Sequence, residues 1–287
     1  MSKTTVKPFR DLKHRLWISI CASIIALLLI YFSQVVLVQF ALALVLSFII
    51  FIGVIEWTAL LEKKKIKTFR NLLLGFAALF MMTTYLSVLG YEVANFNIFI
   101  AFVFGLLMCI SHFRQVNHSI LSISSNLLGI LIVVLPLSLI LFILYPQNGE
   151  DGRLWLTYLL IVTKMTDIGG YFIGKIWGKR KLAPHLSPKK TMEGSIGGLA
   201  FSTLSSLGFF LFAYFLDLNF SMSLLGSIFM GFLLGILAQF GDLTESLFKR
   251  DAQIKDSNNI PGIGGILDMF DSLIFTTPML YLFMRMS

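Results

Sequence analysis

Between two apolar segments, the stretch Gln239 to Asp271 (QFGDLTESLFKRDAQIKDSNNIPGIGGILDMFD) gathers six carboxylates, three basic side chains and four glycines. On a helix, Asp242, Glu245 and Ser246 share one face at i, i+3 and i+4, and Asp268 and Asp271 share another at i and i+3. Carboxylates aligned in this way repel, so something positive belongs between them. A hard divalent cation suits the place, and Mg²⁺ in particular takes one or two carboxylates together with substrate phosphates. Lys249, Arg250 and Lys255 offer charge to the anion that such a metal accompanies. Gly262, Gly264 and Gly265, after Pro261, make a flexible start to the last apolar segment, where backbone N–H groups approach a ligand. The plainer alternative pairs these Asp and Lys side chains as interfacial salt bridges, but carboxylate is left over on one helical face after pairing.

A second polar stretch runs from Lys179 to Gly194 and contains SPKKT. Ser187, Lys189, Lys190 and Thr191, with Glu193, combine hydroxyls and lysines at a helix start, which suits a polyphosphate. The competing reading is a basic loop drawn to lipid headgroups. Just upstream, Lys164 and Asp167 stand inside an apolar run. Ionisable groups there are expensive and face a cavity or a partner, and at i, i+3 these two can also neutralise each other. Gly170, Gly174 and Gly178 recur every fourth residue, a stripe of small residues that lets another helix approach closely.

The elements that position these groups are membrane spans. The chain has 287 residues, 57% of them hydrophobic and 13% charged, with mean hydropathy +0.85. That excludes an ordinary soluble domain, in which about 25% of residues are charged. The net charge of +8 argues for topology rather than nucleic acid, because Lys and Arg cluster between spans as the positive-inside rule expects. Residues 1 to 15 are basic and precede a retained first span, Leu16 to Phe32. Further spans are expected at Val35–Leu61, Leu72–Gly90, Asn95–Ile110, Asn126–Tyr145, Leu154–Trp177, Ser195–Leu216, Ser221–Phe240 and Ile266–Met284. An all-α, polytopic helical bundle of about nine spans results, since backbone groups in lipid are satisfied within helices or closed barrels. Its N-terminus is cytoplasmic, and the two polar stretches fall on the cytoplasmic side. Residues 1–150 form a scaffold of about five spans and residues 151–287 a catalytic region. Cys21 and Cys109 lie in separate apolar runs and read as small buried thiols.

The same residues resemble those of a known family, the phosphatidate cytidylyltransferases or CDP-diacylglycerol synthases. Its C-terminal signature runs from a serine through Lys-Arg, four residues, Lys-Asp, a Pro-Gly turn and a closing Asp-x-x-Asp. Here Ser246, Lys249-Arg250, Lys255-Asp256, Pro261-Gly262, Gly264-Gly265 and Asp268-Met-Phe-Asp271 reproduce most of it. Gly241-Asp242-Leu243-x-Glu245-Ser246 and SPKKT-x-Glu193-Gly194 are similar to the family's as well. The likeness covers the C-terminal half closely and the N-terminal half in outline. Three departures stand out: Ile263 replaces a His, Met269 replaces an Arg, and the stretch between Lys-Asp and Pro-Gly is one residue short. The His and the Arg are potential contacts to phosphate or headgroup.

The resemblance implies transfer of a cytidylyl group from CTP to phosphatidate, giving CDP-diacylglycerol and pyrophosphate in phospholipid biosynthesis. It implies Asp242, Asp268 and Asp271 as ligands of Mg²⁺, a second cation being left open. Lys189 and Lys190, with Ser187 and Thr191, would cradle CTP, and Lys249 would join the three aspartates as catalytic. Lys249, Arg250 and Lys255 are candidates for the lipid phosphate or the nucleotide, and Glu193, Asp256, Gly264 and Gly265 would complete the substrate site. Because the nucleophile is already an anionic oxygen, no strong general base is required. The expected partners are CTP, phosphatidate and membrane lipids, without nucleic acid and with a homodimer left open. The setting is a multi-pass protein of a bacterial inner membrane with its site at the cytoplasmic face. A transporter or channel is the rival from another class, but its inverted repeats with mid-membrane polar groups in both halves are not found. A divergent relative with another lipid substrate or lost activity is the third reading.

Overall fold

The computed structural model describes residues 24–113, 117–147, 149–254 and 265–286. Cys21, Lys255, Asp256, Ile263 and Gly264 lie outside the described residues. After a helical stretch at residues 24–31 come α1 (Val36–Lys63), α2 (Arg70–Val88), α3 (Ala94–Ser111), α4 (Ser119–Leu144) and α5 (Gly152–Trp177). A two-stranded antiparallel ribbon follows, β1 (Lys181–Ala183) and β2 (Ser187–Thr191), with Lys181 opposite Thr191. The chain continues through α6 (Met192–Phe215), α7 (Leu224–Asp251), α8 (Ile266–Phe270) and α9 (Leu273–Met286).

Among the described residues five helices, α1, α2, α4, α6 and α7, are long and apolar enough to cross a membrane, and shorter apolar helices lie at Phe96–Ser111 and Leu273–Met286. The helical class expected from the sequence is thus observed, with three corrections to its detail. The SPKKT segment, expected as a loop, is strand β2 of the ribbon. The last apolar segment, expected as one span, breaks at Asp271 and Ser272 into α8 and α9. Cys109, expected to be buried, is an exposed thiol on the outward side of α3; an apolar run in a membrane protein has a lipid-facing side as well as a packed one.

Two irregularities have local causes. Helix α4 contains a π turn at Ile130–Val134, immediately before Pro136; a proline has no N–H to donate to the preceding turn, and the wider turn absorbs the mismatch. Helix α9 carries Pro278 in its interior. Elsewhere hydroxyls inside apolar helices bond back to their own turn, as Thr163 does to the Leu159 carbonyl at 2.8 Å and Thr166 to Val162 at 2.9 Å, which hides a polar group without a partner helix.

Helices α5, α6 and α7 pack most intimately. Lipid is as apolar as leucine, so helices in a membrane associate through close van der Waals fit and hydrogen bonds rather than hydrophobic expulsion from water. Tyr158 of α5 shares a 2.8 Å hydrogen bond with Ser206 of α6, whose hydroxyl donates to the Ser227 carbonyl of α7 at 2.5 Å. The expected glycine stripe is the α5–α6 contact: a Cβ on Gly174 would lie 2.9 Å from Thr191 Oγ1 and 3.4 Å from Gly194 Cα, so a methyl group there would crowd both.

The N-terminal helices press against the same bundle. Trp57 of α1 meets Phe248 of α7 edge to face, with ring centroids 5.1 Å apart, and Lys64 reaches Asp251 at 2.8 Å. Buried Asn126 of α4 accepts from Phe69 N–H and donates to the Lys67 carbonyl at 3.1 Å, fixing the α1–α2 turn.

Candidate active site

Thr191 ends β2 and begins α6. Its backbone is extended and its hydroxyl accepts the Gly194 N–H at 3.1 Å, satisfying one of the donors that a helix N-terminus leaves open. Glu193 faces back, its carboxylate accepting the Lys179 and Arg180 N–H groups at 3.0 and 3.2 Å. It therefore closes the base of the ribbon. Ser187, at the other end of β2, pairs with Ala183 and lies outside the lining of the cavity described next.

Beside this helix start is a cavity of about 440 Å³. Helix α5 contributes Lys164, Asp167 and Lys175, the ribbon contributes Lys189, Lys190 and Thr191, and Asp242, Asp268 and Asp271 arrive from α7 and the α8–α9 segment. Four lysines and four aspartates thus line one space, a set that can hold a polyanion together with a cation. Lys190 is ion-paired with Asp242, which joins the two polar stretches of the sequence directly.

The C-terminal carboxylates are placed by a second layer. Lys249 Nζ lies 2.5 Å from Glu245 and 3.0 Å from Asp268, and the other oxygen of Asp268 accepts the Gly265 N–H at 3.3 Å. Asp271 receives the Ser272 N–H at 2.5 Å. A Cβ on Gly241 would lie 2.1 Å from the Asp271 carbonyl oxygen, so Asp271 can approach α7 next to Asp242 only because residue 241 has no side chain. Asp271 feels the charges of both Asp242 and Asp167. Among the described residues no group of three or more His, Cys, Asp or Glu side chains forms a ready metal cage.

Of the residues singled out in the sequence, Asp242, Asp268, Asp271, Lys189, Lys190 and Thr191 meet at the cavity. Lys249 and Gly265 stand behind Asp268, while Arg250 is exposed and donates to the Leu186 carbonyl at 3.2 Å, bracing the turn of the ribbon. Lys164 and Asp167, costly in an apolar run, are not marked as site residues by any motif in the sequence. They pair at 3.5 Å and also line the cavity. Gln239 is not marked by one either. This residue bonds both the hydroxyl and, at 3.1 Å, the carbonyl of Ser195, tying α7 to the start of α6.

Apolar helices around a charged cavity large enough for a small-molecule ligand define an integral membrane protein with a site suited to a polar, anionic reactant. The chain belongs to the cytidylyltransferase family, which it matches over residues 14–287. It is 33% identical to a phosphatidate cytidylyltransferase of Chlamydia pneumoniae across 98% of this chain and 94% of the relative. It is 42% identical to a phosphatidate cytidylyltransferase of Chlamydia muridarum across 53% of this chain and 51% of that protein. The like-named protein of Staphylococcus aureus strain COL is 41% identical across 48% of this chain and 52% of its own length.

Proposed function

We infer that this chain is a phosphatidate cytidylyltransferase, joining phosphatidate to CTP to give CDP-diacylglycerol and pyrophosphate. The observation that carries the reading is the single cavity in which the SPKKT ribbon and the three C-terminal aspartates meet, Lys190 touching Asp242. Family membership and near full-length likeness to a protein of that name support the same activity.

The phosphate oxygen of phosphatidate attacks the α-phosphorus of CTP, a new P–O bond forms as the α–β bridge breaks, and the electron pair leaves with pyrophosphate. No proton has to move. The task left to the protein is to bring two anions together and hold attack in line. Lys189 and Lys190 would take nucleotide phosphates, and Lys164 of α5, paired with Asp167, would add charge to the same cavity. Lys249 keeps Asp268 in place, and Gly241 lets Asp271 stand next to Asp242.

Carboxylates lining a space that also has room for phosphates suit Mg²⁺, which needs only one or two protein carboxylates and completes its sphere with phosphate oxygens and water. Asp242, Asp268 and Asp271 would hold it. An ion held there would supply positive charge to offset the negative charge developing on the leaving pyrophosphate.

The distribution of Lys and Arg supports about nine spans with the N-terminus and the cavity on the cytoplasmic side. The lipid then reaches the cavity from the inner leaflet, its chains remaining in the bilayer. Residues 1–150 are the scaffold and 151–287 the reacting region. A purified preparation given CTP, Mg²⁺ and phosphatidate tests the reading: pyrophosphate and CDP-diacylglycerol should form in equal amounts. Absence of both products in folded, detergent-solubilised protein would rule it out.

A further inference from the structure

Glu56 lies on α1, about two turns from its C-terminal end, and is 2% exposed. A carboxylate buried among apolar helices is costly unless its oxygens are satisfied. Both are: the Ile266 N–H donates to Oε1 at 2.9 Å and the Leu267 N–H donates to Oε2 at 3.0 Å. These amides open α8, which carries Asp268 and ends beside Asp271. Two charge-assisted bonds to successive amides fix both the position and the rotation of a short segment. Ile266 also packs near Gly53, one turn earlier on α1.

From this contact we propose that Glu56 is a positioning residue for the reaction. It sets the rotation of α8 and so decides whether Asp268 and Asp271 face the cavity or turn from it. The inference rests on the cytidylyltransferase reading. It adds that the N-terminal half, though none of its described residues lines the cavity, controls the alignment of the aspartates. Five residues of helix cannot hold themselves in register, because nucleation of an isolated turn is unfavourable. The hold must come from outside, and Glu56 supplies it on one side as Lys249 does on the other.

The test compares wild type with Glu56→Gln and Glu56→Asp. The amide of Gln presents N–H where one backbone N–H now finds an oxygen, and Asp draws the carboxylate back by one methylene. Turnover should fall at least about ten-fold in both variants while KM for CTP and for phosphatidate stays within about two-fold, the pattern of an interaction expressed in the transition state. Hydrogen exchange at residues 265–272 should quicken in both, with the amides of α5 and α6 unchanged. Asn126→Ala, a buried polar truncation in α4, is the comparison: it should lower the unfolding midpoint without that loss of turnover. Exchange rising uniformly over the chain, or equal turnover loss in Asn126→Ala, would reduce Glu56 to a packing role. Wild-type turnover in Glu56→Asp would likewise overturn the proposal should Glu56→Gln fail to fold. An inactive wild type would instead strike at the activity itself, and the exchange measurement would still decide whether Glu56 holds α8.

Discussion

Lys190 of the ribbon is ion-paired with Asp242 of α7, and both side chains line the same cavity. With each a quarter to a third exposed, the pair contributes little to stability, since partly solvated ion pairs are worth about 0–1 kcal/mol. Its importance is for charge placement, and that is measurable. Lys190→Gln and Asp242→Asn should each lower kcat/KM for CTP by about two orders of magnitude, the usual range for removing a charge-stabilising group. Because the two groups touch, the double variant should lose less than the product of the single losses. Strict multiplication of the effects in a pyrophosphate-release assay would mean that they act separately.

Behind the cavity, Lys249 is shared between Glu245 and Asp268. Glu245 is 4% exposed, so removing the lysine leaves a buried carboxylate without its counter-charge. Lys249→Met should cost about 3–5 kcal/mol, as breaking one partner from a buried pair does. Adding Glu245→Gln should restore part of that loss, because the uncompensated charge is gone. Chemical unfolding of the single and double variants in detergent gives both values, and a double variant no more stable than Lys249→Met would show that burial of Glu245 is not the cause.

The helices were legible in the sequence because lipid-spanning segments announce themselves by length and hydropathy alone, and α1, α2, α4, α6 and α7 fall where expected. The aspartates were legible too, since carboxylates at i and i+3 beside apolar runs repel unless a cation or a basic side chain stands between them. The break between α8 and α9 was not. Ile266 to Met284 reads as continuous apolar sequence, and its interruption at Asp271 and Ser272 depends on tertiary contacts with Glu56, Lys249 and Gly241. Likewise the strands of the ribbon are too short for a periodic signal, and Glu193, which gathers the Lys179 and Arg180 amides at their base, acts across the ribbon rather than within either strand. Glu56 carried a signal, being a carboxylate inside an apolar helix, but its partners lie more than two hundred residues away, beyond what spacing can reveal.

At the opposite end of α5, Asp151 caps the helix through the Arg153 N–H at 3.0 Å and is ion-paired with the Arg153 guanidinium at 2.6 Å. Hydrogen bonding from Arg153 holds the carboxyl below its ordinary range, against the opposing effect of partial burial. A depressed value in the folded state means that the stabilisation is complete above the ordinary carboxylate value of about 4 and is lost as pH falls through the lower, folded value. Asp151→Asn keeps a cap acceptor and loses the charge, so it should cost about 0.5–1 kcal/mol at neutral pH. The gap between variant and wild type should close as the pH is lowered below about 4. Thermal unfolding of both proteins across that range is the check, and a gap independent of pH would show that the charge of Asp151 contributes nothing.

Gly241 precedes Asp242, and a Cβ there would stand 2.1 Å from the Asp271 carbonyl oxygen and 3.3 Å from Ser272 Cα. Both contacts are to backbone, which cannot swing aside as a flexible side chain would, so Gly241→Ala must push the α8–α9 segment away from α7. Overpacking of this kind costs about 1–3 kcal/mol, and the displacement falls on the segment that carries Asp271. Turnover should therefore drop by about two orders of magnitude, the effect that a misplacement of about 1 Å has on a reaction dependent on alignment. Gly208, on α6, has nothing within 4 Å of its would-be Cβ, so Gly208→Ala should keep both stability and turnover. If Gly241→Ala matched Gly208→Ala in pyrophosphate release and in unfolding midpoint, the close approach at Gly241 would not be what aligns the two aspartates.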